Sequence, residues 1–183
     1  MTVTTIALVL VGLGVIAWFA ARAKAKAFVG AGKERLHSLP NYHGWYVALW
    51  AAVPALAFLA IWSNLSGGLI FQAVMASPEA AALPAFDMQR QAILGEAYAL
   101  ATGAAETAFN PQARALAPVY ASAISFYFWL GLGVALLIAF AAGALAFSRV
   151  SPRFRARTRV ERWVMAVLLI ASLIAVLTTL GIL

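Results

Sequence analysis

The residues equipped for chemistry are few, and they gather in one place. The stretch LHSLPNYHGWYVALWAAVPA, Leu36 to Ala55, holds both histidines of the chain, His37 and His43. Imidazoles ligate metals and exchange protons near neutral pH. These two stand six apart with Pro40 and Gly44 punctuating the segment, so they do not share a helical face as a metal pair would. Glu34 is the one adjacent acid and the chain has no cysteine, which leaves a zinc set of three or four ligands incomplete. The absence of cysteine also removes disulfides and thiolate chemistry. The same residues read well as a membrane entry. Ser38-Leu39-Pro40-Asn41 forms a turn, Tyr42, Trp45 and Tyr46 place amphipathic rings at headgroup depth, and Gly44 lets a helix start. No Gly-rich phosphate loop, nucleophile constellation or paired intramembrane carboxylates occurs, so no catalytic, cofactor or metal residue is assigned and the substrate contacts are unknown.

Composition explains why chemistry is scarce. Hydrophobic residues make up 64% of the 183-residue chain and charged residues only 10%, against roughly a quarter charged in a soluble domain. Such a chain is an integral membrane protein. A formal charge of +7 suggests nucleic acid at first sight, but the basic residues fall in two short blocks between apolar segments, without an aromatic-interleaved basic surface. Nucleic acid is therefore not expected as a partner, whereas the lipid bilayer is.

A helix needs about 20 apolar residues to cross about 30 Å of hydrocarbon. Four segments meet this requirement: Val3 to Ala21, Trp45 to Trp62, Tyr120 to Phe147 and Trp163 to Leu183. The fold class expected is all-α, with four transmembrane helices, the N-terminus outside, and a partly helical external loop between helices 2 and 3. The first segment is a retained anchor rather than a signal peptide, because Arg22, Lys24 and Lys26 follow its apolar run and none precedes it. The fourth runs apolar to the last residue, and a truncated chain is expected there.

Loop charges orient the helices. Arg22 to Gly44 carries net +4, Ser63 to Val119 net −2, and Ser148 to Arg162 net +5. Basic residues in short loops mark the cytoplasmic side, so loops one and three are expected inside and loop two outside. The aromatic belts agree, with Trp18, Phe19, Trp45, Tyr46 and Trp163 at the inner interface and Trp62, Tyr120, Phe126, Tyr127, Phe128 and Trp129 near the outer one.

In the external loop, SNLSGG and SPEAAALPAF are turn signals. Asp87 to Thr107 reads as a surface helix or helical hairpin that Asn110-Pro111 ends, with Asp87 as N-cap or first-turn acid and Arg90 three residues on. Pro54 should kink the second helix, and Gly12, Gly14, Gly131, Gly133, Ala139, Gly143 and Ala146 permit close helix approach. The arginine run RVSPRFRARTRVER, Arg149 to Arg162, follows the positive-inside bias and has the chemistry to attract anionic headgroups. No apolar segment contains an ionisable residue, which argues against a proton relay or charged substrate path within them.

Two stretches resemble a known family. HSLPNYHGWYVALWAAVPALAFLAIW, His37 to Trp62, resembles the N-terminal extension of the permease subunit PstC of phosphate ABC importers, in which a Leu-Pro-x-Tyr-His-Gly motif leads into a membrane helix. RTRVERWVMAVLLIASLIAVLTTLGIL, Arg157 to Leu183, is similar to the helix that opens the permease proper. The resemblance implies a multi-pass subunit of a bacterial inner membrane that pairs with a second permease, PstA. A cytoplasmic ATPase subunit would drive the pair, with ATP hydrolysis there and not on this chain, and a periplasmic phosphate-binding protein would feed it.

On that resemblance residues 1–147 are an N-terminal membrane extension, with helices at about 3–21, 45–62 and 120–147 and the external loop at 63–119. Residues 148–162 form a basic cytoplasmic loop, and 163–183 begin the permease core. The translocation helices and the Glu-Ala-Ala-type coupling loop would lie after Leu183, and Arg149 to Arg162 has no such motif. A self-contained four-helix membrane sensor or assembly factor is the alternative.

Overall fold

The computed structural model describes residues 3–30 and 38–182. The described residues are helical apart from short connections. In chain order they are α1 (Val3–Gly30), α2 (Pro40–Met75), a 3₁₀ turn (Pro78–Ala82), α3 (Asp87–Thr102), α4 (Pro111–Ser148) and α5 (Ala156–Ile182). Four of these, α1, α2, α4 and α5, are long and apolar enough to cross a membrane.

Each long helix outruns its apolar segment, because hydropathy limits depth in lipid whereas helix formation depends on propensity and capping. α1 continues through ARAKAKAF, whose alternating Ala and basic residues are strong helix formers. α2 continues through Ser63 and Asn64, where a turn was expected. Ser63 Oγ and Asn64 Nδ2 donate back to the Ala60 carbonyl at 2.9 and 2.8 Å, so these side chains bond within the helix instead of ending it. α4 starts at Pro111 and not at Tyr120. Pro111 occupies the first helical position, and Asn110 Oδ1 accepts the Gln112 N–H at 2.8 Å. Asn110-Pro111 thus opens α4 and does not end α3. The stop for α3 is Gly103, whose φ of 74° lets Ala104 N–H reach the Ala99 carbonyl at 2.8 Å. At the other end of α3, Asp87 is a first-turn acid paired with Arg90, and Phe86 holds the cap position. α5 begins before the apolar run, with Arg157 and Glu161 one turn apart and hydrogen-bonded at 2.6 Å.

The chain forms two compact units, residues 1–57 with 136–183, and residues 58–135. In the first, small residues let helices meet. The Cβ that Gly14 lacks would lie 3.3 Å from Ala52 Cβ, and that of Gly143 3.2 Å from Ala51 Cβ. Ala21, Ala25, Tyr46, Val47, Ala146, Val150, Ala156 and Val160 form the buried cluster. Lys24 Nζ donates to the Phe147 carbonyl at 3.0 Å, a second donor at the end of α4 to an oxygen that also accepts the Val150 N–H at 3.2 Å. Gly12, expected at a helix crossing, has no atom within 4 Å of its missing Cβ, and its face is open.

The second unit has its own core of Val74, Ala80, Ile93, Leu94, Ala97, Ala108, Ala113, Leu116 and Tyr120. Ile93, Leu94 and Ala97, on one face of α3, are seated in it. Gly131 backs onto the indole of Trp62, which leaves no room for a Cβ, while Gly133 is open.

Candidate functional site

The structure separates the aromatic rings expected at the interfaces into two kinds. Phe19, Trp45, Phe126 and Trp129 are exposed, as belt residues should be. Tyr46 and Tyr120 are instead core side chains, 1% and 5% exposed. Trp62 packs its ring against Tyr127 with centroids 6.4 Å apart and donates Nε1–H to the Tyr127 carbonyl at 3.3 Å.

His37, with Lys33, Glu34 and Arg35, lies outside the described residues. His43 sits in the first turns of α2 and is fully buried. Its Nδ1 is 3.4 Å from the Leu39 carbonyl, its Nε2 has no partner, and its ring lies tilted 6.2 Å from Phe154. Among the described residues no group of three or more His, Cys, Asp or Glu could hold a metal ion. His43 acts as a packed wall of the first unit.

Gly44 has a role that the sequence reading misassigned. The helix starts four residues earlier, at Pro40, the first-position residue of α2, with Tyr42 N–H bonded to the Leu39 carbonyl at 3.0 Å. A Cβ on Gly44 would stand 2.8 Å from Trp18 Cδ1 and 3.0 Å from the Trp18 carbonyl oxygen. The glycine is there for the contact between α1 and α2. The Trp18 indole is itself held by the Arg22 guanidinium, 4.9 Å above its ring.

In the second unit, the loop from Gly103 to Asn110 is clamped from both sides by charged groups. The Glu96 carboxylate accepts the Phe109 and Asn110 N–H groups. The Arg114 guanidinium donates Nε–H and Nη2–H to the Ala108 carbonyl at 3.0 and 2.8 Å. Sequence reading counted these residues only as loop charges. Their spacing, 13 residues from Glu96 to Phe109, carries no local signature.

The strongest concentration of charge is around the start of α5. A cavity of about 410 Å³ is lined by Arg153, Phe154, Arg155, Thr158, Arg159 and Arg162. Beside it a groove of about 300 Å³ is lined by Trp50, Arg159, Arg162, Trp163 and Ala166. The Trp50 and Trp163 rings meet edge to face at 5.7 Å. A third, apolar crevice of about 340 Å³ in the same unit is walled by α1, α2 and α4, with Ile16, Ala51 and Phe140 among its residues.

Four long apolar helices, with Asp, Glu, Lys, Arg and His confined to their ends and connections, define a polytopic α-helical membrane protein. The chain belongs to the phosphate ATP-binding cassette transporter family, whose model matches residues 7–178. No match is found among curated proteins or among solved structures. The chain is thus a membrane component associated with phosphate transport.

Proposed function

We propose that the chain is the N-terminal membrane region of a PstC-type permease subunit in a bacterial inner-membrane phosphate importer. It acts as a scaffold beside the translocation pathway. Its partners are a second permease of the PstA type, a cytoplasmic ATPase subunit that hydrolyses ATP, and a periplasmic phosphate-binding protein. Residues 1–147 form the extension, 148–162 the inner basic loop, and 163–183 the start of the permease core. The N-terminus and residues 63–119 face outward. The observation that carries this reading is the family match over residues 7–178. The scaffold role is supported by the apolar spans themselves, Val3 to Ala21, Trp45 to Trp62, Tyr120 to Phe147 and Trp163 to Leu183, which contain no Asp, Glu, Lys, Arg or His.

The external unit, built on its own core and held by the Glu96 and Arg114 clamps, steadies the docked binding protein. Deleting residues 79–111 from the full-length permease tests this. Phosphate uptake falls while the amount of permease in the membrane is unchanged, and undiminished uptake refutes the docking role. Because the chain has no cysteine, its sidedness can be read with single introduced thiols. Met88→Cys, at an exposed site of α3, should react with an impermeant maleimide in intact cells, whereas Ser151→Cys should react only after permeabilisation.

A further inference from the structure

Positive-inside bias accounts for arginines near the start of α5 but not for how they are arranged. Arg159, Arg162 and Ala166 recur at the three- and four-residue steps of one face of α5, and Arg155, the residue before its first turn, stands four residues ahead of Arg159. The acid of the segment, Glu161, is bonded to Arg157, off that face. Arg155, Arg159 and Arg162 have no carboxylate partner among the described residues. Their guanidinium groups, with the Thr158 hydroxyl, line a cavity suited to an anion with several oxygens, since guanidinium donors match phosphate in pairs. The Arg159 guanidinium is further placed by the Phe154 ring, 5.9 Å away.

The second observation is continuity with an apolar surface. Arg159 and Arg162 line both the anion cavity and the groove of Trp50, Trp163 and Ala166. Beyond Trp163, α5 is exposed and apolar, with Val164, Val167 and Leu168 among its open side chains. A free anion would use only the first half of this surface. A molecule with a phosphate at one end and a hydrocarbon chain at the other uses both.

We propose that the face Arg155-Arg159-Arg162 and the Trp50–Trp163 groove form a binding site for an anionic phospholipid. The phosphodiester lies on the arginines and an acyl chain runs past the tryptophan pair along α5. The site needs no transport role for these arginines, and it requires that the face of α5 beyond Trp163 be covered by lipid and not by a partner helix.

The test uses the detergent-solubilised protein, titrated with phosphatidylglycerol or phosphatidylcholine brominated on the acyl chains, with tryptophan quenching as the readout. Phosphatidylglycerol should quench at much lower concentration than phosphatidylcholine. Arg159→Gln/Arg162→Gln should lower that preference about 30-fold. Lys26→Gln/Lys33→Gln takes the same charge from the basic stretch that follows the first apolar span and should keep the preference. Trp50→Phe/Trp163→Phe should remove most of the selective quenching, and selective quenching retained in that variant overturns the groove assignment. Equal loss in the two charge-removing double variants would mean bulk charge attraction and overturn the site. Displacement of the lipid by inorganic phosphate at concentrations at which sulfate does nothing would mean a free-phosphate site and overturn the lipid assignment. Unchanged helical circular dichroism and unchanged phosphatidylcholine quenching in the arginine variant show that it is folded, so a retained preference there refutes the proposal.

Discussion

Replacing Gly44 by alanine isolates one contact on which the first unit depends. The new Cβ would stand 2.8 and 2.9 Å from Cδ1 and Nε1 of Trp18 and 3.0 Å from its carbonyl oxygen, well inside the roughly 3.5 Å at which carbon atoms attract. The indole cannot simply turn away. Phe19 and Trp45 meet it edge to face at 4.9 and 6.4 Å, and Arg22 sits over its ring. The carbonyl belongs to the backbone of α1, so relief requires the helices to part. Overpacking of this kind costs about 1–3 kcal/mol. Exchanging glycine for alanine inside a helix contributes about 0.8–1 kcal/mol in the opposite direction. Gly12, interior to α1 as Gly44 is to α2 but with nothing within 4 Å of its missing Cβ, feels only the second effect. Gly12→Ala should therefore be stabilised and Gly44→Ala destabilised or near neutral, with the two about 1–3 kcal/mol apart. The assay is reversible unfolding in mixed micles of increasing dodecyl sulfate content, followed by tryptophan emission. If Gly44→Ala unfolds no earlier than Gly12→Ala, the close packing of α1 on α2 at this point is refuted.

Other outcomes follow from the second unit and the buried histidine. Arg114→Ala leaves the Ala108 carbonyl without either guanidinium donor and should destabilise residues 58–135 by about 1.5–3 kcal/mol, with Arg114→Lys recovering only part. Hydrogen exchange of the Gly103 to Asn110 amides measures this locally. Glu96→Ala should release the Phe109 and Asn110 amides in the same experiment, while Glu96→Gln keeps an acceptor and releases them less. Leu116→Ala truncates a fully buried side chain and should cost about 2–5 kcal/mol in micellar unfolding. His43→Leu removes a buried ring nitrogen that has no partner and should change stability by less than about 1.5 kcal/mol; a larger loss would show that the imidazole makes a polar contact the packing does not account for.

The sequence by itself determined the class of the protein. Lipid leaves little choice of spanning structure, since backbone groups must be satisfied internally, and apolar segments of about 20 residues such as Val3 to Ala21 become helices without regard to what they pack against. The residues of LHSLPNYHGW could be read as a membrane entry rather than a metal site because ligand sets need a number and spacing that two histidines and one acid do not supply. Helix ends were less legible. Apolar runs stop where the chain meets polar surroundings, but ARAKAKAF and SNLSGG go on as helix because their side chains favour it or bond back to the previous turn.

Only the tertiary structure decided which residues meet. Tyr46 and Tyr120 have the composition of belt residues, and burial in their respective clusters made them core. Gly44 and Gly12 look alike in the chain, yet one lies against Trp18 and the other against nothing. Glu96 reaches Phe109 and Lys24 reaches Phe147 across separations that no periodicity encodes. The arginines of α5 were countable from the start, but the groove they share with Trp50, more than a hundred residues earlier, exists only once α2 and α5 are packed together. Hydropathy is a property of each residue and survives without a fold, whereas a contact belongs to a pair and does not.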